Sequence, residues 1–133
     1  MKRIAVVAVA LTFLLGSAGL VGAGDNPLKA QEKKVVQSFV DEIPKDHIIG
    51  VEKFYEAYKA VMDGKKEAYL IDVRTHPEFY AFHIEGTDHI HAGHMYTIPK
   101  KITDPTAEIY VWCRTSHRGK YVAGFLYKYG DKN

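Results

Sequence analysis

The chemistry-bearing residues of this 133-residue chain gather around its single cysteine, Cys113. Arg114, Thr115, Ser116, His117 and Arg118 follow it directly, placing two permanent cations and an imidazole within five positions. A thiolate is the nucleophilic form of cysteine, and an ordinary thiol, with a pKa near ~8.5, is mostly protonated at neutral pH. Arginines close to the sulfur favour the anion, and a charged His117 would add to them. The same cations would bind an anionic substrate. They would also hold a charged sulfur product such as a persulfide, Cys–S–S⁻, whose charge loop amides can stabilise much as they stabilise an oxyanion. A lone cysteine is often just a small buried apolar residue; the cationic loop favours a reactive one.

The neighbouring elements show how such a loop would be held. Ile109, Val111 and Trp112 read as a buried strand, and Val122, Phe125 and Leu126 recur at helical spacing, so residues 113–118 form a strand-to-helix turn. The first amides of a helix have no intrahelical partner and carry the positive end of its dipole, which makes the turn an anion site. Upstream, Ala68 to Val73 is a nearly continuous apolar run, as expected of a parallel strand covered on both faces. It runs into Asp72, Val73 and Arg74, at the strand end where open α/β sheets place functional groups. Arg74 and Glu78, on either side of Pro77, read more simply as a structural ion pair.

Other stretches complete the frame. Val51, Phe54, Tyr55, Tyr58, Val61 and Met62 form a helical stripe that reads as core, with Gly64 as its cap. His47–Gly50 and Met95–Ile98 read as short strands, and Ile98–Ile102 as a helical turn. Strands alternating with helices indicate a parallel α/β architecture with right-handed crossovers.

Residues 1–23 have the form of a secretory signal: a basic start at Lys2-Arg3, an apolar run from Ile4 to Leu20, and the small-residue site Val21-Gly22-Ala23. The expected product is periplasmic or secreted, is free of the membrane after cleavage, and has 110 residues, enough for one small core. Its 16 basic residues balance 16 acidic ones, so the broad electrostatic source of nucleic-acid binding is missing. Residues 24–46 read as an amphipathic leader helix ended by Pro44 and docked on the domain or on a partner, and residues 47–133 as the domain itself. Four histidines, His83, His89, His91 and His94, crowd residues 79–98. Imidazoles suit zinc and copper, but the spacing matches no strong metal signature, so a site on His89, His91 and His94 is the weaker alternative to no metal at all.

Loop size narrows the chemistry. Cysteine-dependent phosphatases leave five residues between cysteine and arginine, whereas Arg114 to His117 make four, a smaller ring better suited to one sulfur atom. From about His47 to Gly130 the chain resembles a single-domain rhodanese, a sulfurtransferase module. The motifs that carry the likeness are YLIDVR at 69–74, Pro77-Glu78-Phe79, His83-Ile84-x-Gly86, Ile98-Pro99, and IYVWCRTSHR followed by a helix ending at Tyr129-Gly130.

The resemblance implies an α/β three-layer domain with a central, mostly parallel sheet flanked by helices. It implies a persulfide on Cys113, binding of sulfur and anionic substrate by Arg114, Thr115, Ser116, His117 and Arg118, and structural support from Asp72, Arg74 and Glu78. No cofactor is implied. The donor would be thiosulfate or a similar small anion, and the acceptor cyanide or a thiol. A sulfur carrier or partner-binding module without turnover, and a metal protein built on His83–His94, are the alternatives.

The chain departs from the family pattern in three places. Ser116 stands where the family commonly has glycine, which predicts strain if that position takes positive φ. His89–Tyr96 reads as an insertion. The chain also stops where the family continues into a strand and a helix, so the domain reads as C-terminally incomplete, with a protein partner or the leader helix as possible cover for the sheet.

Overall fold

The computed structural model describes residues 27–130, so the signal-like segment 1–23 and the last three residues lie outside it. Three parallel strands form the sheet: β1 (Tyr69–Asp72), β2 (Asp88–His89) and β3 (Ile109–Trp112), in the order β2-β1-β3. The register sets Tyr69 opposite Ile109 and Asp72 opposite Trp112, so both longer strands end at the same rim.

Alternation along the strands divides the apolar residues between two faces. Ile71 and Val73 point into a buried cluster with Ile90, Ile98, Ile102, Val122 and Leu126, the last two from α5 (His117–Tyr129). On the opposite face, Phe54 of α2 (Val51–Met62) meets the rings of Tyr110 and Trp112 at 6.3 and 6.4 Å between centroids. Helices on both sides of a parallel sheet make the three-layer α/β fold anticipated from the sequence.

Local chemistry sets the helix ends. α3 (His76–Ala81) starts with a reciprocal capping box, in which the Thr75 hydroxyl accepts from the Glu78 amide and the Glu78 carboxylate accepts from the Thr75 amide. α2 is followed by Gly64 at φ 69°, whose amide donates to the Val61 carbonyl. α4 (Ile98–Lys101) is the expected helical turn, with Ile98 fully buried.

Two short strands read from the sequence are not formed. Lys45–His47 is a 3₁₀ turn, and residues 48–50 join no strand among the described residues; Ile49 instead lines a groove of about 420 Å³ together with Phe54, Val111 and Ala123. Ala92–Thr97 is also 3₁₀, held by local bonds: the Gly93 amide donates to His91 Nδ1 and the Thr97 hydroxyl to the His94 carbonyl. Hydrogen bonds within the turn win there over a run that looks strand-like.

The leader helix α1 (Pro27–Val40) stops four residues before Pro44. It packs on α5, where Phe39 meets Tyr121 edge-on at 4.9 Å and its backbone lies directly over Gly124. Leu28 and Val35 nearer its start are exposed. Among the described residues no helix is long and apolar enough to cross a membrane.

Candidate active site

The site lies at the rim where β1 and β3 end. Asp72 and Arg74 are 0% and 3% exposed, and together they brace the β1 end. Asp72 accepts from the Arg74 amide at 2.9 Å and from its guanidinium at 2.7 to 3.0 Å, while Arg74 Nη2 also donates to the Phe82 carbonyl at 2.8 Å. The guanidinium lies 4.6 Å from the Trp112 ring centre and so ties β1 to the last residue of β3. Burying an ion pair is favourable only when its hydrogen bonds are satisfied, and these are.

The Arg74–Glu78 pair read from the sequence is therefore replaced by two others. Arg74 pairs with Asp72, and Glu78 with Arg118, whose Nη1 and Nη2 donate to its two carboxylate oxygens at 2.6 and 2.9 Å. Arg118, together with the Thr75 amide and hydroxyl, holds the Glu78 carboxyl well below the usual carboxylate range. The fork pins the first turn of α5 to the start of α3 across 40 positions of sequence. Asp72, Arg74 and Glu78 are thus all ion-paired, with partners other than the pairing read from the sequence.

Cys113 follows β3 and is partly buried. Its Sγ accepts from the Gly119 amide at 3.4 Å, so an amide of the α5 start points at the sulfur as the turn predicts. Ser116 enters the helix at φ 64° and ψ −16°, the only non-glycine residue with positive φ among those described. The strain expected at this position is present, and a left-handed residue with a side chain costs roughly 1–2 kcal/mol.

Arg114, Thr115, Ser116 and His117 are exposed around the sulfur, with His117 Nδ1 hydrogen-bonded to the Thr115 hydroxyl at 3.2 Å. Arg118 is partly covered, and its raised pKa comes first from Glu78, with a smaller contribution from Cys113. Arg114 forms no ion pair among the described residues, which leaves it as the loop's available cation.

Lys120 lines the same pocket as Cys113, Arg114, Ser116 and Gly119, and sequence reading missed it. Its position four residues after Ser116, one helical turn on, was the available signal.

The histidines form a ring cluster instead of a chelate. Phe79 stacks between His83 and His89 at 4.1 and 4.3 Å, His76 meets His89 edge-on at 4.8 Å, and His91 and His94 are 5.8 Å apart. His89 Nε2 donates to the Arg74 carbonyl at 2.9 Å, so that histidine braces the site's floor. Burial, then the neighbouring imidazoles, lower the His91 pKa. Among the described residues no group of three or more His, Cys, Asp or Glu is arranged to hold a metal ion, which removes support for the reading that placed one on His89, His91 and His94.

No curated protein matches the chain. Residues 54–133, well over half of it, match the family model described as the rhodanese-like domain. They include both long strands, the Cys113 loop and the Glu78–Arg118 clamp, and the chain belongs to the rhodanese-like domain family.

Proposed function

We propose that this protein transfers sulfane sulfur from thiosulfate or a similar donor through a persulfide on Cys113. Family membership supports a sulfurtransferase-type or other sulfur-related role. The observation that carries the finer reading is the placement of Cys113 Sγ against the Gly119 amide, inside a loop that presents Arg114 to solvent.

In the first step the Cys113 thiolate attacks the outer sulfur of thiosulfate. A sulfur–sulfur bond forms to Sγ as the donor's own sulfur–sulfur bond breaks, and the electron pair of that bond leaves with sulfite. In the second step a thiolate or cyanide attacks the terminal sulfur, takes it as a persulfide or thiocyanate, and returns Cys113 as thiolate. Arg114 draws the donor in, Arg118 adds positive potential while anchored to Glu78, and the helix-start amide stabilises the sulfur charge.

Intact-mass analysis after incubation with thiosulfate tests the proposal. One added sulfur atom is expected on the native chain and none on Cys113→Ser; an unchanged mass on the folded native chain overturns it. A carrier or partner-binding role without turnover is a second reading, favoured by the groove that Ile49, Phe54 and Val111 line next to Cys113, on β3, an edge strand among the described residues. Loading of one sulfur that neither cyanide nor thiols remove would favour that role. The signal-like start supports export to the periplasm or beyond, and an amino terminus at Gly24 in secreted protein would establish it.

A further inference from the structure

We propose that His76, His89, His91 and His94 form an acid-sensitive latch, which docks α3 while the rings are neutral and releases it, together with the Glu78 anchor it carries, when they charge.

α3 has six residues and none of them is buried. Its capping box is internal, so it holds the helix together without attaching it to the domain. Ring contacts do much of the docking. Phe79 stacks on His89 of β2 at 4.3 Å, and His76 lies 4.8 Å from His89 and 5.9 Å from His91, which opens the 3₁₀ turn at Ala92–Thr97. His94 of that turn is 5.8 Å from His91. The other ties are the Arg74 bond to the Phe82 carbonyl and the Glu78–Arg118 fork.

The groups that face His91 are His94 on its own turn, His76 from α3, His89 from β2 and Arg118 from α5. Burial, then each of these, opposes a charge on that ring. Tyr80 lies beside His76, Tyr96 beside His94, and His83 on the far side of Phe79. No carboxylate compensates: strand alternation sends Asp88 to the face opposite His89, Glu78 is taken by Arg118, and among the described residues none of the four histidines has an ion pair. Histidine gains its charge between about pH 8 and 5. Because His91 folds neutral, its stabilisation is complete above the ordinary histidine value near 6.5 and is lost as pH falls below it. Acid therefore sets like charges 5 to 6 Å apart across the seam between α3 and its neighbours. When α3 lifts, the loop after Cys113 loses the clamp on Arg118. Only that last consequence, reduced sulfur loading, rests on the sulfurtransferase reading above.

Hydrogen exchange between pH 7.5 and 5.5, corrected for intrinsic rates, tests the latch. Glu78 stays ionised throughout this window, so its own titration does not interfere. In the native chain the opening of the Phe79 amide, bonded to the Thr75 carbonyl, should rise roughly tenfold, as expected of like charges at this separation near a surface, while β1 amides stay protected. The double variant His76→Gln with His91→Asn should lose most of that rise; asparagine retains an acceptor for the Gly93 amide that His91 Nδ1 now caps. No rise in the native chain, an equal rise in the variant, or a rise shared by the β1 amides overturns the proposal. If the variant is already open at pH 7.5, salt decides: raising it to about 0.5 M should restore α3 protection in the native chain at pH 5.5, and no effect of salt overturns the latch. Sulfur loading that fails at every pH while α3 still opens in acid overturns the sulfurtransferase reading and supports the latch.

Discussion

Replacing Asp72 with asparagine keeps the shape of the side chain and removes its charge, leaving the Arg74 guanidinium 3% exposed with no anion beside it. Asp72 accepts four contacts from Arg74, through the amide, Nε to both carboxylate oxygens, and Nη2. A carboxamide in its place could keep only those made to one oxygen, while its NH₂ group would face the guanidinium as a second donor. Breaking a buried pair by removing one partner costs about 3–5 kcal/mol. That is a large share of the roughly 5–15 kcal/mol that holds a small domain folded. At about 4 °C per kcal/mol, Asp72→Asn should lower the thermal midpoint by roughly 12–20 °C.

Chemical denaturation of Asp72→Asn, Arg74→Met and the double variant checks the cause. Removing both partners should cost less than the sum of the single changes, because no unpaired charge is left in the core. Sulfur loading per folded molecule should persist in Asp72→Asn, since none of the pair's hydrogen bonds reaches Cys113. A cost below about 1 kcal/mol for Asp72→Asn, or strict additivity in the double variant, would refute the claim that this pair holds the β1 end.

The Glu78–Arg118 fork predicts a pH dependence. The folded carboxyl titrates below its unfolded value, so the stabilisation is complete above the ordinary carboxylate pKa near 4.5 and is lost progressively as pH falls below it. Denaturation midpoints from pH 7 down to 3 should therefore drop less steeply in Glu78→Gln than in the native chain, and equal slopes would count against the fork. Gly124→Ala should detach α1 from α5, because a Cβ at this position would lie 2.1 Å from the Phe39 carbonyl oxygen. Hydrogen exchange should then accelerate in residues 27–40 while the β1 and β3 amides stay protected; unchanged protection of α1 would contradict the packing described. Cys113→Ser should shift the denaturation midpoint by only about 0.5 kcal/mol equivalent or less while abolishing sulfur loading, since the Gly119 amide's bond to the sulfur is long and a serine hydroxyl can accept in its place.

Much of the frame was legible because it rests on local pattern. The apolar runs ending at Asp72 and Trp112 are strands, the stripe from Val51 to Met62 is a helix, and the loop after Cys113 opens another. Misreadings fell where short segments depend on neighbours. Residues 47–50 and 95–98 have strand-like composition, but among the described residues the first has no strand beside it to pair with, and the second closes its hydrogen bonds within 3₁₀ turns. The histidines drew attention as ligands by type, and their rings are instead occupied in stacking and in bracing the Arg74 carbonyl.

By itself the sequence determined that a lone thiol sits in a cationic strand-to-helix turn, since that follows from residue order and periodicity over a few positions. Only the tertiary structure decided how the charges are shared. Asp72, Glu78, Arg74 and Arg118 allow more than one pairing, and the pairing adopted depends on which side chains the ends of β1, α3 and α5 bring within hydrogen-bond reach. That choice commits Arg118 to Glu78 and leaves Arg114 as the available cation at the mouth. Partner choice between oppositely charged groups is a matter of distance in space, which spacing along the chain does not encode.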